Sequence, residues 1–143
     1  MNSGNSKLWS VSDLLMRVLA AFIFGQTLFF KFAGADESMY IFDRLGIEPW
    51  GRIGSALAEL VVVLALLIPR TAFLGALGGM AILSVAILSH LTVLGIVVQG
   101  DGGLLFGMAV LAWLCCLGIS ILRRRDLKLI LCRIRKQDRP SNS

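Results

Sequence analysis

Four long apolar blocks constrain the fold of this chain more than any other feature of its sequence. They lie at about residues 14–33, 53–68, 72–98 and 104–122. Each is close to the roughly 20 residues that a helix needs to cross about 30 Å of hydrocarbon. Only 16% of the residues are charged and the mean hydropathy is +0.81, whereas soluble domains usually carry about a quarter charged residues. We therefore predict an all-α integral membrane protein.

The connections and the glycines favour a compact arrangement of these spans. The second, third and fourth blocks are joined by short segments, which favour antiparallel neighbouring helices. Two G-x-x-x-G pairs, a spacing that lets membrane helices approach closely, are present: Gly75 with Gly79, and Gly103 with Gly107. Residues 1–122 are thus predicted to form a four-helix bundle. The same glycines are also compatible with a homodimer interface.

The charges predict the orientation in the membrane. Residues 123–139 hold eight Lys or Arg against two Asp, whereas the long first connection, residues 34–52, carries four acids against two Arg. Lys and Arg mark the cytoplasmic side. Four spans with both termini in the cytoplasm place the basic tail inside and the acidic first connection outside. We predict a multi-pass protein of a bacterial-type cytoplasmic (inner) membrane. The net charge of +5 belongs mostly to the tail, and no nucleic-acid partner is predicted.

The tail, residues 123–143, has a helical pattern of its own. Its apolar residues recur at i, i+3, i+4 and i+7: Leu127, Ile130, Leu131 and Ile134. Basic residues fill much of the remainder. This pattern is typical of a helix that lies in the interface against anionic lipid. We predict a basic amphipathic C-terminal helix that anchors the chain to the inner leaflet.

Polar side chains within the apolar blocks collect at one depth in the outer half of the membrane. At 1.5 Å per residue, Glu59 lies roughly 10 Å below the start of the second span, and His90 and Gln26 each lie roughly 12 Å below the outer ends of theirs. Lys31 is shallower, but its long stem can reach several ångström up or down. No group of comparable polarity is expected at the matching depth in the inner half.

Two interpretations of this polar layer are open. An ionisable residue in a membrane normally faces the bundle interior with a partner, and Lys31 is the natural partner of Glu59 because it is the only embedded cation near that level. The layer, Gln26, Lys31, Glu59 and His90, either lines a ligand pocket or only fixes helix register. One His and one Glu without a suitably placed Cys are a poor ligand set, so no metal site is predicted.

Three charged residues of the first two spans form a recognisable pattern. It consists of an Arg near the start of span one, a Lys that ends it and a Gly/Ala-flanked Glu in span two: Arg17 and Lys31 in MRVLAAFIFGQTLFFKFAG, and Glu59 in IGSALAELVVVLALLIP. This pattern in a short four-span chain resembles the DoxX-like family, and the resemblance covers roughly residues 13–122. It implies a four-helix membrane protein, in some members the membrane subunit of a thiosulfate:quinone oxidoreductase.

The leading hypothesis for function is a bundle whose outward-facing polar pocket binds a small hydrophobic or periplasmic molecule, such as a quinone or a lipid. His90 would hydrogen-bond a quinone carbonyl and move a proton, since imidazole changes charge near neutral pH. A partner redox protein or a directly reacting substrate would supply the electrons. The alternative is a non-catalytic membrane scaffold or assembly subunit. A small-molecule transporter is less favoured, because four short unbroken spans leave little room for alternating access.

Overall fold

The computed structural model describes residues 3–137, with side chains described for residues 10–124. Every regular element in this part of the chain is a helix. In chain order the elements are α1 (Ser3–Ala33), α2 (Asp36–Arg44), α3 (Trp50–Leu67), α4 (Ala72–Ser89), a π-helical turn (His90–Leu94) and α5 (Leu104–Gln137). The all-α prediction is confirmed.

Within the described residues, four helical stretches are long and apolar enough to cross a membrane: Ser10–Ala33, Trp50–Leu67, Ala72–Leu94 and Leu104–Arg124. This confirms the predicted number of candidate spans. The third span ends earlier than predicted, since it was expected to reach residue 98. It ends at Leu94 because Gly95 adopts a φ of 82°, a left-handed conformation that commonly terminates helices.

The last helix does not stop where the predicted bundle ends. α5 runs from Leu104 to Gln137 without a break, so it passes through the expected boundary between residues 122 and 123. The side chains of the predicted amphipathic face, Leu127, Ile130, Leu131 and Ile134, lie outside the described part of the chain, as do residues 138–143. The interfacial anchor therefore stays a prediction.

The four long helices contact one another in a closed ring. α1 packs against α3 and α5, and α4 packs against the same two helices. Phe24, Leu66 and Ile119 are completely buried between them. Many large apolar side chains point outward instead, among them Phe22 and Val61. Such an outer surface is consistent with contact with a lipid bilayer, in which apolar side chains need no cover.

α2 lies near one end of this ring, where it contacts α1, α3 and the π-helical turn. We call this end the α2 end; α1 and the third span finish there, and α3 and α5 begin there. The opposite end, which holds the connection from α3 to α4, is called the basal end. The charge pattern predicts that the α2 end faces outward.

The glycines of α4 lie at helix contacts. A Cβ added to Gly75 would lie 2.8 Å from the Leu66 amide nitrogen, and one added to Gly79 would lie 3.0 Å from Cys116 Sγ. Intrachain helix packing is not found at the other pair, Gly103 and Gly107, for which the homodimer alternative stays a prediction. A Cβ on Gly107 would meet no atom within 4 Å, and Gly103 belongs to the loop before α5. Gly107 thus faces away from the other helices of the chain.

This difference can be tested with two leucine substitutions. Gly79→Leu should lower the thermal stability of the detergent-solubilised protein, because overpacking a tight core contact typically costs about 1–3 kcal/mol. Gly107→Leu is the matched control, since it places the same side chain on a membrane helix in open space. Equal losses at the two positions would contradict a close contact at Gly79.

The orientation can be tested by thiol labelling. Asp43 on α2 and Arg70 between α3 and α4 are both exposed. Single cysteines at these positions, in a variant without the native cysteines, should react from opposite sides of the membrane. A membrane-impermeant maleimide added to intact cells should modify the cysteine at position 43 only. Modification of both, or of position 70 alone, would contradict the predicted topology.

Candidate functional site

The carboxylate of Glu59, only 4% exposed, forms an ion pair with the ammonium group of Lys31. The predicted pairing is therefore confirmed. Lys31 contacts Oε1, and the hydroxyl of Thr27 lies 3.2 Å from Oε2. The Thr27 hydroxyl also lies 2.9 Å from the Phe24 carbonyl oxygen, and its one proton serves only one of these two acceptors at a time. Lys31 is therefore the main partner of the buried charge. These contacts join α1 to α3.

Two further contacts connect Lys31 to its surroundings. The guanidinium of Arg52 donates to the main-chain carbonyl of Lys31, and its Nε donates to Glu48 Oε1 at 2.8 Å. The Lys31 ammonium also lies 5.5 Å from the ring centroid of Phe42 on α2, within the range of cation–π attraction. Lys31 therefore links the last turn of α1 to both α2 and α3.

His90 stands where α4 passes into the π-helical turn, and its ring is oriented by two contacts. Nδ1 lies 2.9 Å from the carbonyl oxygen of Gly95, and the ring packs edge-on against Phe106 with centroids 5.8 Å apart. A carbonyl oxygen only accepts, so Nδ1 carries a proton. In the neutral imidazole Nε2 is then a bare acceptor. It has no hydrogen-bond partner among residues 10–124.

Asp101 organises the loop beside His90. Its Oδ1 accepts hydrogen bonds from the amides of Val98 and Gly103, at 2.8 and 2.9 Å, and its Oδ2 accepts one from Leu105 at 2.9 Å. The hydrogen bonds from Leu105 and Gly103, the two largest causes, lower the pKa of the Asp101 carboxyl. The ionised side chain therefore caps the start of α5, where a helix favours negative charge.

A cavity of about 770 Å³ lies at the α2 end, between α2 and the four spans. This volume falls within the roughly 300–1,000 Å³ typical of small-molecule sites. Most of the wall is apolar and includes Phe24, Phe30, Ile41, Phe42, Ile82, Leu105 and Met108. The polar groups of the wall are Gln26, Thr27, Lys31, Glu37, Ser38, Ser55, Glu59, Ser89, His90 and Asp101.

The structure brings all four sequence-predicted site residues to this cavity: Gln26, Lys31, Glu59 and His90. Their role in ligand binding stays a prediction. Sequence reasoning did not select Ser38, although it is only 7% exposed and its hydroxyl is buried without a hydrogen-bond partner. Ser38 lies on a short polar helix, and only the contacts of that helix with the spans reveal that this face is buried.

A second polar cluster lies at the basal end, where no group of comparable polarity was expected. Arg123 forms a bidentate contact with Asp13, at 2.7 and 2.6 Å. Arg17 donates to the carbonyls of Leu66 and Leu67, each at 2.6 Å, which satisfies acceptors that the end of α3 leaves free. The first candidate span begins at Ser10 rather than at the predicted residue 14. It therefore includes Asp13, which the predicted boundary had placed outside the span.

The described residues contain no group of three or more His, Cys, Asp or Glu side chains that could hold a metal ion. A scan against protein-family models and searches of curated proteins and of solved structures find no match to this chain. The geometry of the cavity is therefore the main evidence on function.

Removing one charge of the Lys31–Glu59 pair should cost more stability at Lys31 than at Glu59. Lys31→Met should destabilise the detergent-solubilised protein by up to about 3–5 kcal/mol, because it leaves a buried carboxylate with one weak partner. Glu59→Gln should cost less, since the Lys31 side chain is more exposed, 16% against 5% for the Glu59 side chain, and its ammonium group can reach outward.

Thermal unfolding of the double variant is the control. Lys31→Met with Glu59→Gln should recover part of the loss that Lys31→Met causes, because no unpaired charge remains. If the two single losses simply add, the pair makes no net contribution to stability.

Proposed function

We propose that this chain is a membrane protein that binds a small lipid-soluble molecule in the cavity at its α2 end, with carriers of the quinone class as the leading candidates. One observation carries the proposal. A cavity of suitable volume combines a mostly apolar wall with polar groups contributed by α1, α2, α3 and the π-helical turn. Apolar walls with a few convergent polar groups are the usual form of a small-molecule site.

The charges around the cavity favour a neutral ligand. Its wall carries one lysine, Lys31, against three acids: Glu37, Glu59 and Asp101. Lys31 is already paired with Glu59, and Asp101 is held by three backbone amides. An anion such as thiosulfate would therefore meet no unpaired cation in the cavity, whereas a neutral amphipathic molecule disturbs none of these contacts.

The resemblance to the DoxX-like family supports the same class of ligand. Of the residues that carry it, Lys31 and Glu59 line the cavity, whereas Arg17 belongs to the cluster at the basal end. The proposal places the cavity on the outer side of a bacterial-type inner membrane, where a carrier dissolved in the bilayer can enter. Glu59 and His90 are the wall residues suited to exchanging protons with it.

A scaffold role is the second candidate, and the Lys31–Glu59 pair favours it. The pair joins α1 to α3 and is satisfied without any ligand. Such a contact can fix helix register by itself. On this account the cavity would hold ordinary lipid or detergent, with no preference for a particular molecule.

A cavity-filling substitution separates the two candidates. Ala86 lines the cavity from α4, whereas Ala81 on the same helix is exposed and outside it. Decylubiquinone, in its oxidised or its reduced form, should raise the unfolding temperature of the parent protein, because a ligand that binds only the folded state stabilises it. Ala86→Phe should abolish this shift, and Ala81→Phe should preserve it.

The opposite result is equally clear. If neither form of the probe shifts the unfolding temperature of the parent, or if Ala86→Phe leaves the shift unchanged, the binding function is wrong. The scaffold role would then be the better account of the polar layer.

A further inference from the structure

We propose that the cavity selects a ligand that carries a hydroxyl group, with the hydroxyl donating to His90 Nε2 and the Ser38 hydroxyl bonding a ligand oxygen. This inference rests on the proposed binding function and goes beyond it by specifying the chemistry of the ligand. Within the quinone class it favours the reduced quinol over the oxidised quinone.

Ser38 supplies the first observation. Its side chain lines the cavity, is more than nine-tenths buried, and has an oxygen with no hydrogen-bond partner. A buried hydroxyl without a partner costs about 1–3 kcal/mol of stability, so native proteins rarely retain one without a reason. A ligand oxygen in the cavity would provide the missing partner.

His90 supplies the second observation, which concerns the direction of its hydrogen bond to a ligand. Because Nδ1 donates to the Gly95 carbonyl, the neutral ring offers only a lone pair at Nε2. A quinone carbonyl also offers only lone pairs, so the two cannot form a hydrogen bond. A hydroxyl group can donate to Nε2. The structure therefore revises the expected contact between His90 and a quinone carbonyl.

The positions of the two residues are compatible with one ligand. α2, which carries Ser38, contacts the π-helical turn that begins at His90, and both residues line the same cavity. Other hydroxyls of the wall are already engaged with backbone: Ser55 donates to the Arg52 carbonyl and Ser89 to the Val85 carbonyl. Among the described wall residues, Ser38 and His90 are buried and keep a polar atom without a partner. The half-buried Gln26 also makes no hydrogen bond within the described chain.

Binding of two matched probe pairs to the purified protein tests the inference. The first pair is decylubiquinol and decylubiquinone, and the second is 1-decanol and decyl methyl ether, which has the same type of tail without a hydroxyl donor. Calorimetry in detergent measures the four affinities. The hydroxyl member should bind roughly three- to tenfold more tightly, which is the contribution of one hydrogen bond.

Ser38→Ala and its control Ser120→Ala identify the residue responsible. Ser38 lines the cavity and lacks a partner, whereas Ser120 lies outside the cavity and donates to the Cys116 carbonyl at 2.9 Å. Ser38→Ala should weaken binding of the hydroxyl probe roughly three- to tenfold while leaving the unfolding temperature of the free protein unchanged or higher. Ser120→Ala should leave the affinity unchanged. His90→Phe should remove the preference between the members of each pair.

Each outcome has a defined meaning. Tighter binding of decylubiquinol alone supports a quinol ligand, and tighter binding of 1-decanol as well supports a lipid alcohol; both support the inference. Equal binding within each pair, or an unchanged affinity in Ser38→Ala, overturns the inference and leaves the proposed binding function standing. Binding of none of the four probes overturns both.

Discussion

The cost of holding the Glu59 carboxylate away from water is the constraint on which the α2 end of this protein depends. A charge in a membrane interior requires a partner, and that partner, Lys31, comes from another helix. The same lysine contacts the ring of Phe42, and its carbonyl accepts from Arg52. One buried acid thus determines where α1 meets α3, and it also brings α2 over the space between the spans. The cavity lies beneath this set of contacts.

The two ends of the helix ring use charge in different ways. At the basal end the guanidinium groups of Arg17 and Arg123 bind Asp13 and the free carbonyls at the end of α3, so the polar groups there satisfy one another. At the α2 end the ion pair is satisfied too, but the Ser38 hydroxyl, Glu48 Oε2 and one nitrogen of His90 have no partner in the described chain. Of these three, Ser38 and His90 line the cavity. Unused hydrogen-bonding capacity around a cavity, rather than charge alone, distinguishes a binding site from a structural cluster.

The sequence predicts those features that a strict physical requirement controls. Four apolar blocks predicted the four candidate spans, because hydrocarbon thickness limits helix length. Depth along the helices predicted the partner of Glu59, because few cations lie near its level. Gly79 and Gly107 have the same sequence pattern but opposite surroundings, since spacing does not specify which way a helix is rotated. The burial of Ser38 and the protonated nitrogen of His90 arise from contacts between α2, the π-helical turn and Gly95, and no local pattern encodes them.

Native mass spectrometry of the chain, extracted from its own membranes without added ligand, tests the central claim most directly. The account predicts a small neutral hydroxyl-bearing molecule bound to each chain, present in the parent and in Ala81→Phe and lost in Ala86→Phe. Organic extraction of the same samples would identify it. A parent protein that carries no such molecule, or one that stays equally bound when the cavity is filled, would contradict the account and leave the polar layer with a purely structural role.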